Sequence, residues 1–259
     1  NQGITILLNM FFSTVVNAAR GIATTVSSQV SGFVMNFQVA AGPQIYKLYA
    51  KGDYQQMNRL VCNTAKYSSY LLILIGLPVF IKTEILIKLW LGNIPEYVIP
   101  FIRITLIELF FKAIDFPIGN GIHAFGKMKL PNITSSIAYI SVLPLTYIIL
   151  RLGSSPVIAY IIACISYPLA MACDLWILNK FSGFDIKFYL LNVPLKSILI
   201  ILLSAILPVF VSNSFEDGWL NLIATSAVCA VVSATFVFYI GLDTEMREKV
   251  LRKVKNKLA

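Results

Sequence analysis

Four ionisable residues fall in one apolar stretch of the chain, residues 97–122: Arg103, Glu108, Lys112 and Asp115. At 100° per residue, Glu108, Lys112 and Asp115 lie within about 60° of one another on one face of a helix. Glu108 and Lys112 form an i,i+4 pair, Lys112 and Asp115 an i,i+3 pair. A charge at mid-bilayer costs roughly 2.5–3.5 kcal/mol on insertion scales, so such residues face a bundle interior or a watery cavity. Two readings follow: a self-compensating structural cluster, or the lining of a cavity for a charged ligand. Arg103 points elsewhere and stands nearer the outer end, where snorkelling to the interface also accounts for it.

A second polar set precedes it. Arg20, Thr24, Ser27, Ser31 and Gln38 recur every three to four residues, with seven for the last step, and share one helix face. Gln29 and Asn36 take the opposite face. Small hydroxyls on membrane helices often serve only packing. Arg20 at the head of the stripe favours a hydrated path. Asp174 stands alone near the inner end of a later apolar stretch and reads as an interfacial acid paired with Lys180. His123, the single histidine, reads as a hydrogen-bonded structural residue, with a proton relay as the rarer use.

The elements that position these residues follow from composition. The chain has 259 residues, 58% hydrophobic and 13% charged, and its mean hydropathy is +0.78. Soluble domains carry about 25% charged residues. The chain therefore reads as an all-α integral membrane protein, a polytopic bundle. Eight apolar stretches have membrane-like length: 3–18, 20–44, 66–91, 97–122, 131–151, 155–179, 195–212 and 218–241. The absence of sustained alternation argues against an outer-membrane barrel.

The net charge of +9 sorts by side. Fifteen Lys and Arg fall in alternate loops and the tail, against four in the loops between them. That asymmetry places the C-terminus in the cytoplasm and removes nucleic acid as a partner. Pro78, Pro117, Pro144, Pro168 and Pro208 interrupt the spans, suggesting helices that bend around a cavity. Asp53 is the expected N-cap of a short amphipathic piece, and residues 243–259 the expected basic amphipathic helix on the inner membrane surface. The four cysteines have no metal-ligand spacing, and no nucleotide-binding loop or hydrolytic triad is present.

Several segments resemble a known family. Gly3-Ile-Thr-Ile-Leu-Leu-Asn9-Met-Phe-Phe12, then Val16-Asn17-Ala-Ala-Arg20-Gly21-Ile-Ala23, resembles the seventh-to-eighth-helix junction of bacterial polysaccharide flippases. Ala41-Gly42-Pro43-Gln44-Ile45-Tyr46-Lys47 and Tyr49-Ala50-Lys51-Gly52-Asp53 resemble the segment leaving helix eight. Trp90-Leu91-Gly92 and His123-Ala124-Phe125-Gly126-Lys127-Met128-Lys129 fit in the same order. These are the Wzx-like members of the multidrug/oligosaccharidyl-lipid/polysaccharide exporter superfamily.

The resemblance implies a two-lobe, MATE-like fold of about 14 helices, of which this chain holds helices seven to fourteen. Residues 1–180 would be the C-terminal lobe with its first helix truncated, 181–242 two additional transmembrane helices, and 243–259 the tail. The N-terminal lobe would be a missing partner. The substrate would be an undecaprenyl-pyrophosphate-linked oligosaccharide in the bacterial inner membrane, with a polysaccharide polymerase as a further partner. Arg20, Arg103 and Lys112 would be cavity cations near the phosphates; Glu108 and Asp115 would be counter-charges or the coupling site for Na+ or H+. No other cofactor and no covalent chemistry are implied. A cation-coupled multidrug exporter or a lipid II flippase would share the fold. A membrane polymerase or ligase acting on lipid-linked sugars is disfavoured by short external loops; the longest candidate, near Asn213–Trp219, has no Lys or Arg.

Overall fold

The computed structural model describes residues 2–12, 14–214 and 218–258. Among these the chain is helical throughout: α1 (Gln2–Phe11), α2 (Thr14–Ala50), α3 (Tyr54–Ile81), α4 (Thr83–Leu91), α5 (Val98–Ala124), α6 (Lys129–Arg151), α7 (Val157–Ser182), α8 (Ile186–Leu190), α9 (Lys196–Ser214), α10 (Trp219–Phe236) and α11 (Thr244–Leu258). A π-helical turn, Leu191–Leu195, joins α8 to α9, and another, Val237–Gly241, extends α10.

Among the described residues five helical stretches are long and apolar enough to cross a membrane: Tyr54–Ile81, Lys129–Arg151, Val157–Ser182, Ile186–Ser212 and Trp219–Gly241. The count of about eight expected from hydropathy is therefore not reached on these criteria. The shortfall has physical causes. α1 has only 10 residues, while α2 (37 residues) and α5 (27 residues) are long enough but carry the polar stripe and the charged cluster.

Other boundaries also differ from expectation. The first break falls between Phe11 and Thr14, not near residue 19, and α2 runs unbroken through Ala19, Arg20 and Gly21. α1 then folds back along α2, where Asn17 hydrogen-bonds Asn9 and Arg20 Nη1 donates to Thr5 Oγ1 at 2.6 Å. Asp53 does cap a helix, its carboxylate accepting from Gln56 N–H at 3.0 Å. That helix is no separate amphipathic piece: it runs unbroken from Tyr54 into the span. The chain breaks instead at Lys82, dividing the expected 66–91 stretch into α3 and α4. Asp185 caps α8 in the same way, accepting from Phe188 N–H at 2.9 Å.

α5 is the central post. Phe101, Ile102, Ile114, Ile118 and Ile122 are buried along its length, and it packs against α2, α3 and α7. α6 lies on α7, and α9 and α10 pair and rest on α3. In lipid, helices associate through close packing more than through expulsion of water, so small residues mark the contacts. Gly121 is one: a Cβ there would lie 3.2 Å from Leu178 of α7 and 3.3 Å from Val61 of α3. On α2 the buried row is Ala19, Ala23, Val26, Val30 and Val34, at steps of three and four. The polar stripe follows it one residue later, about 100° around the helix.

Pro117 shapes the centre. Lacking an N–H, it leaves the carbonyl of Ala113 without its helical donor. Gln38 of α2 supplies the replacement, its Nε2 donating to Ala113 O at 2.6 Å. The Tyr189 hydroxyl donates to the neighbouring Ile114 carbonyl at 2.8 Å. Two carbonyls in the turn before Pro117 are thus held by polar side chains from α2 and α8.

Candidate functional site

A cavity of about 580 Å³ opens between α2, α5 and α7, reaching Ile4 of α1 and Tyr139 of α6. Arg20, Thr24, Ser27, Ser31 and Gln38 form its α2 wall; Glu108, Lys112 and Asp115 project from α5. The two polar sets read from the sequence therefore face each other across one space. They do so because each occupies a single helical face and the two helices pack side by side.

The α2 hydroxyls are already partly satisfied. Thr24 donates to Arg20 O at 3.0 Å and Ser31 to Ser28 O at 3.0 Å, each bonding back into its own helix. Their lone pairs remain to accept from a ligand. Arg20 is half-buried, and Thr5 fixes one end of its guanidinium.

On α5, Lys112 Nζ stands 2.5 Å from Glu108 Oε1 and 4.7 Å from the centre of the Tyr167 ring. The Glu108 side chain is 10% exposed and the Lys112 side chain 39%, so the ammonium faces the cavity while the carboxylate sits behind it. Glu108 and Lys112 neutralise each other. Arg20 on α2 and Asp115 on α5 line the same cavity. The 10 or so ångströms from Glu108 to Asp115 along α5 follow from the helical rise, about 1.5 Å per residue.

Asp115 Oδ1 is buried and meets no hydrogen-bond donor among the described residues. Asp174 of α7 lies within electrostatic reach of it. The expected pairing of Asp174 with Lys180 is not formed. Asp174 is only 8% exposed, with Oδ1 likewise unpartnered, and Lys180 instead sits over the Trp176 ring at 5.4 Å. Six residues turn a helix by about 240°, so the two side chains leave α7 in different directions.

Arg103 does not join the cavity. It lines a second, apolar cavity of about 720 Å³ between α3, α5 and α9. Nine residues separate it from Lys112, which places the two on opposite sides of α5. His123 is exposed at the end of α5, away from both spaces.

Tyr139, Tyr160 and Tyr167 complete the polar cavity and were not singled out by sequence. Tyr139 and Tyr167 pack at 5.3 Å between ring centres, and Tyr160 stacks on Phe101 at 4.1 Å. Tyrosines scattered through apolar helices carry no spacing signal. Only the helix packing reveals that three of them converge.

The wall thus offers a guanidinium, an ammonium, two carboxylates, hydroxyl acceptors and three phenolic rings. Such groups are complementary to a ligand that is both charged and polyhydroxylated or aromatic, and a volume of about 300–1,000 Å³ is usual for small-ligand sites. No family model, no curated protein and no solved structure matches this chain.

Proposed function

We propose that this chain is the C-terminal part of a flippase that moves undecaprenyl-pyrophosphate-linked oligosaccharide repeat units across the bacterial cytoplasmic membrane. The observation that carries the reading is the polar cavity inside an apolar helical bundle, with Arg20 and Lys112 on facing helices. A pyrophosphate suits a guanidinium, whose planar fork makes paired charge-assisted hydrogen bonds, and an ammonium supplies a second point charge. Sugar hydroxyls suit the Thr24, Ser27 and Ser31 oxygens, and pyranose faces suit tyrosine rings. The reading combines this chemistry with the resemblance of residues 3–129 to the flippase segments described above.

In this reading the chain supplies helices seven to fourteen, the C-terminus is cytoplasmic, and the opposite cavity wall comes from an N-terminal lobe. Translocation proceeds by rocking of the lobes, with no covalent step. Asp115, with Asp174 behind it, provides the acidic site for a coupling Na+ or H+. Glu108 serves as the counter-charge that keeps Lys112 in place. Arg103 has no part in binding the transported pyrophosphate in the polar cavity, since it faces the other side of α5.

The test is replacement of Arg20 by Ala and, separately, by Lys in the intact gene in its own host. Surface polysaccharide, cytoplasmic-leaflet repeat units and protein level are measured together. Loss of polysaccharide with accumulated repeat units at normal protein level is expected for Arg20→Ala. Arg20→Lys recovers only part, because a point charge does not reproduce the fork. Unchanged polysaccharide in both removes the proposal.

A second reading, cation-coupled drug export, draws support from Tyr139, Tyr160 and Tyr167 beside Glu108 and Asp115, a set that also suits a flat cation. New sensitivity to cationic drugs, with polysaccharide intact, decides for it.

A further inference from the structure

We infer that the apolar cavity between α3, α5 and α9 holds an anionic phospholipid, with its phosphate on Arg103 and an acyl chain along the groove. The inference rests only on the membrane character of the bundle, not on what the polar cavity transports.

Among the described residues Arg103 is the one charged side chain lining this cavity of about 720 Å³. Its guanidinium lies 5.7 Å from the Phe80 ring, and its buried Nε meets no hydrogen-bond partner among them. No carboxylate pairs with it among the described residues. A half-buried guanidinium with its Nε shielded beside hydrocarbon calls for an anion to offset its partial desolvation. The rest of the wall, such as Leu77, Leu106, Phe110, Ile201 and Leu202, calls for an alkyl chain. The occupant that meets both demands is an anionic amphiphile.

The order of residues along the helices places its two ends. Arg103 stands in the second turn of α5, Ile81 at the end of α3, and Ser212 in the last turn of α9. Lys82, only 3% exposed, lies at the same end, with its Nζ 3.4 Å from Ser212 O. From that end the lining continues inward through Leu72 on α3, Phe111 on α5 and Ile198 on α9. Cationic groups thus mark one membrane surface and the apolar groove descends from it. A phospholipid standing upright in its own leaflet has this geometry.

The wall also selects against a saccharide-bearing lipid. Besides Arg103 it offers one side-chain hydroxyl, Ser212, too little for a polyhydroxylated head group. The polar cavity lies across α5, so a head group bound to Lys112 does not reach Arg103.

The experiment is native mass spectrometry of the full 259-residue chain released from detergent micelles. It is supplied with phosphatidylglycerol, phosphatidylcholine or undecaprenyl phosphate, alone and in competition. The wild type is expected to retain phosphatidylglycerol in preference to phosphatidylcholine. Arg103→Gln lowers retention of phosphatidylglycerol about tenfold, the scale of one hydrogen-bonded charge contact, and levels the two lipids. Ala205→Phe, which fills the groove, removes both.

As a check independent of that packing change, a fluorophore at Leu202→Cys is quenched by brominated phosphatidylglycerol in the wild-type background and not with Arg103→Gln. Equal phosphatidylglycerol retention in wild type and Arg103→Gln overturns the inference. So does undecaprenyl phosphate outcompeting phosphatidylglycerol with the same dependence on Arg103, which assigns the groove to the transported lipid.

Discussion

Neutralising Lys112 is expected to cost more stability than neutralising Glu108, although both break the same 2.5 Å contact. The asymmetry comes from which partner is left behind. Lys112→Gln leaves a carboxylate whose side chain is 10% exposed, on a helix face turned toward α7, without a cation and with the Tyr167 hydroxyl beside it. Removing one member of a buried pair costs about 3–5 kcal/mol; water reaching the cavity side of the pair brings the expectation to about 2–3 kcal/mol. Glu108→Gln leaves an ammonium that is 39% exposed and retains the Tyr167 ring face at 4.7 Å. Its loss is about 1 kcal/mol, in the range of exposed ion pairs. The double variant Glu108→Gln/Lys112→Gln then resembles Glu108→Gln alone, since no stranded charge remains. Thermal unfolding in detergent micelles measures the order. At roughly 2–4 °C per kcal/mol, Lys112→Gln melts several degrees below Glu108→Gln. If Glu108→Gln melts at or below Lys112→Gln, the carboxylate is not the desolvated partner and the burial argument for this site is wrong.

Three further outcomes follow from packing and polar satisfaction. Gln38→Leu leaves the Ala113 carbonyl beside Pro117 without its donor and lowers stability by about 1–3 kcal/mol, whereas Gln29→Leu on the opposite face of α2 does not. Gly121→Ala pushes α5 from Leu178 and Val61 and lowers the melting temperature, while Gly119→Ala, with nothing within 4 Å, leaves it unchanged or raises it. Asp243→Asn removes the partner of Lys66, whose side chain is 4% exposed, and costs about 1–3 kcal/mol; Lys66→Met, which removes the buried charge itself, costs less. Chemical denaturation of each pair under one detergent condition checks the order within it.

The site was legible where chemistry and periodicity coincide. Arg20, Thr24, Ser27, Ser31 and Gln38 share a helical face by spacing alone, and the same holds for Glu108, Lys112 and Asp115. Their meeting across one cavity required the packing of α2 on α5, which no local pattern encodes. Asp174 was misread because its nearest cation in sequence, Lys180, is a poor guide to its neighbour in space. The boundary between the first two stretches was hidden for a related reason. Hydropathy treats Arg20 as a boundary marker, but α2 continues through it, and the polar cavity receives its side chain. The joining of Tyr54–Ile81 into one helix was equally hidden. Its first two turns are polar and its later ones apolar, so composition changes where the backbone does not.

α5 separates two solvents inside one bundle. Lys112 and Asp115 face a polar cavity on one side, Arg103 and Phe110 an apolar one on the other, and Leu72 of α3 lines both. The partition at that point is a single side chain thick. Pro117 acts at the same level: Ala113, whose carbonyl lacks its helical donor and accepts from Gln38 instead, sits between Lys112 and Asp115. A change of helix geometry there moves Lys112 relative to Asp115 and strains the Gln38 hydrogen bond to α2. The two walls of the polar cavity are mechanically tied at Gln38. Any motion that reshapes the charge pattern on α5 is transmitted to the hydroxyl stripe that carries Arg20.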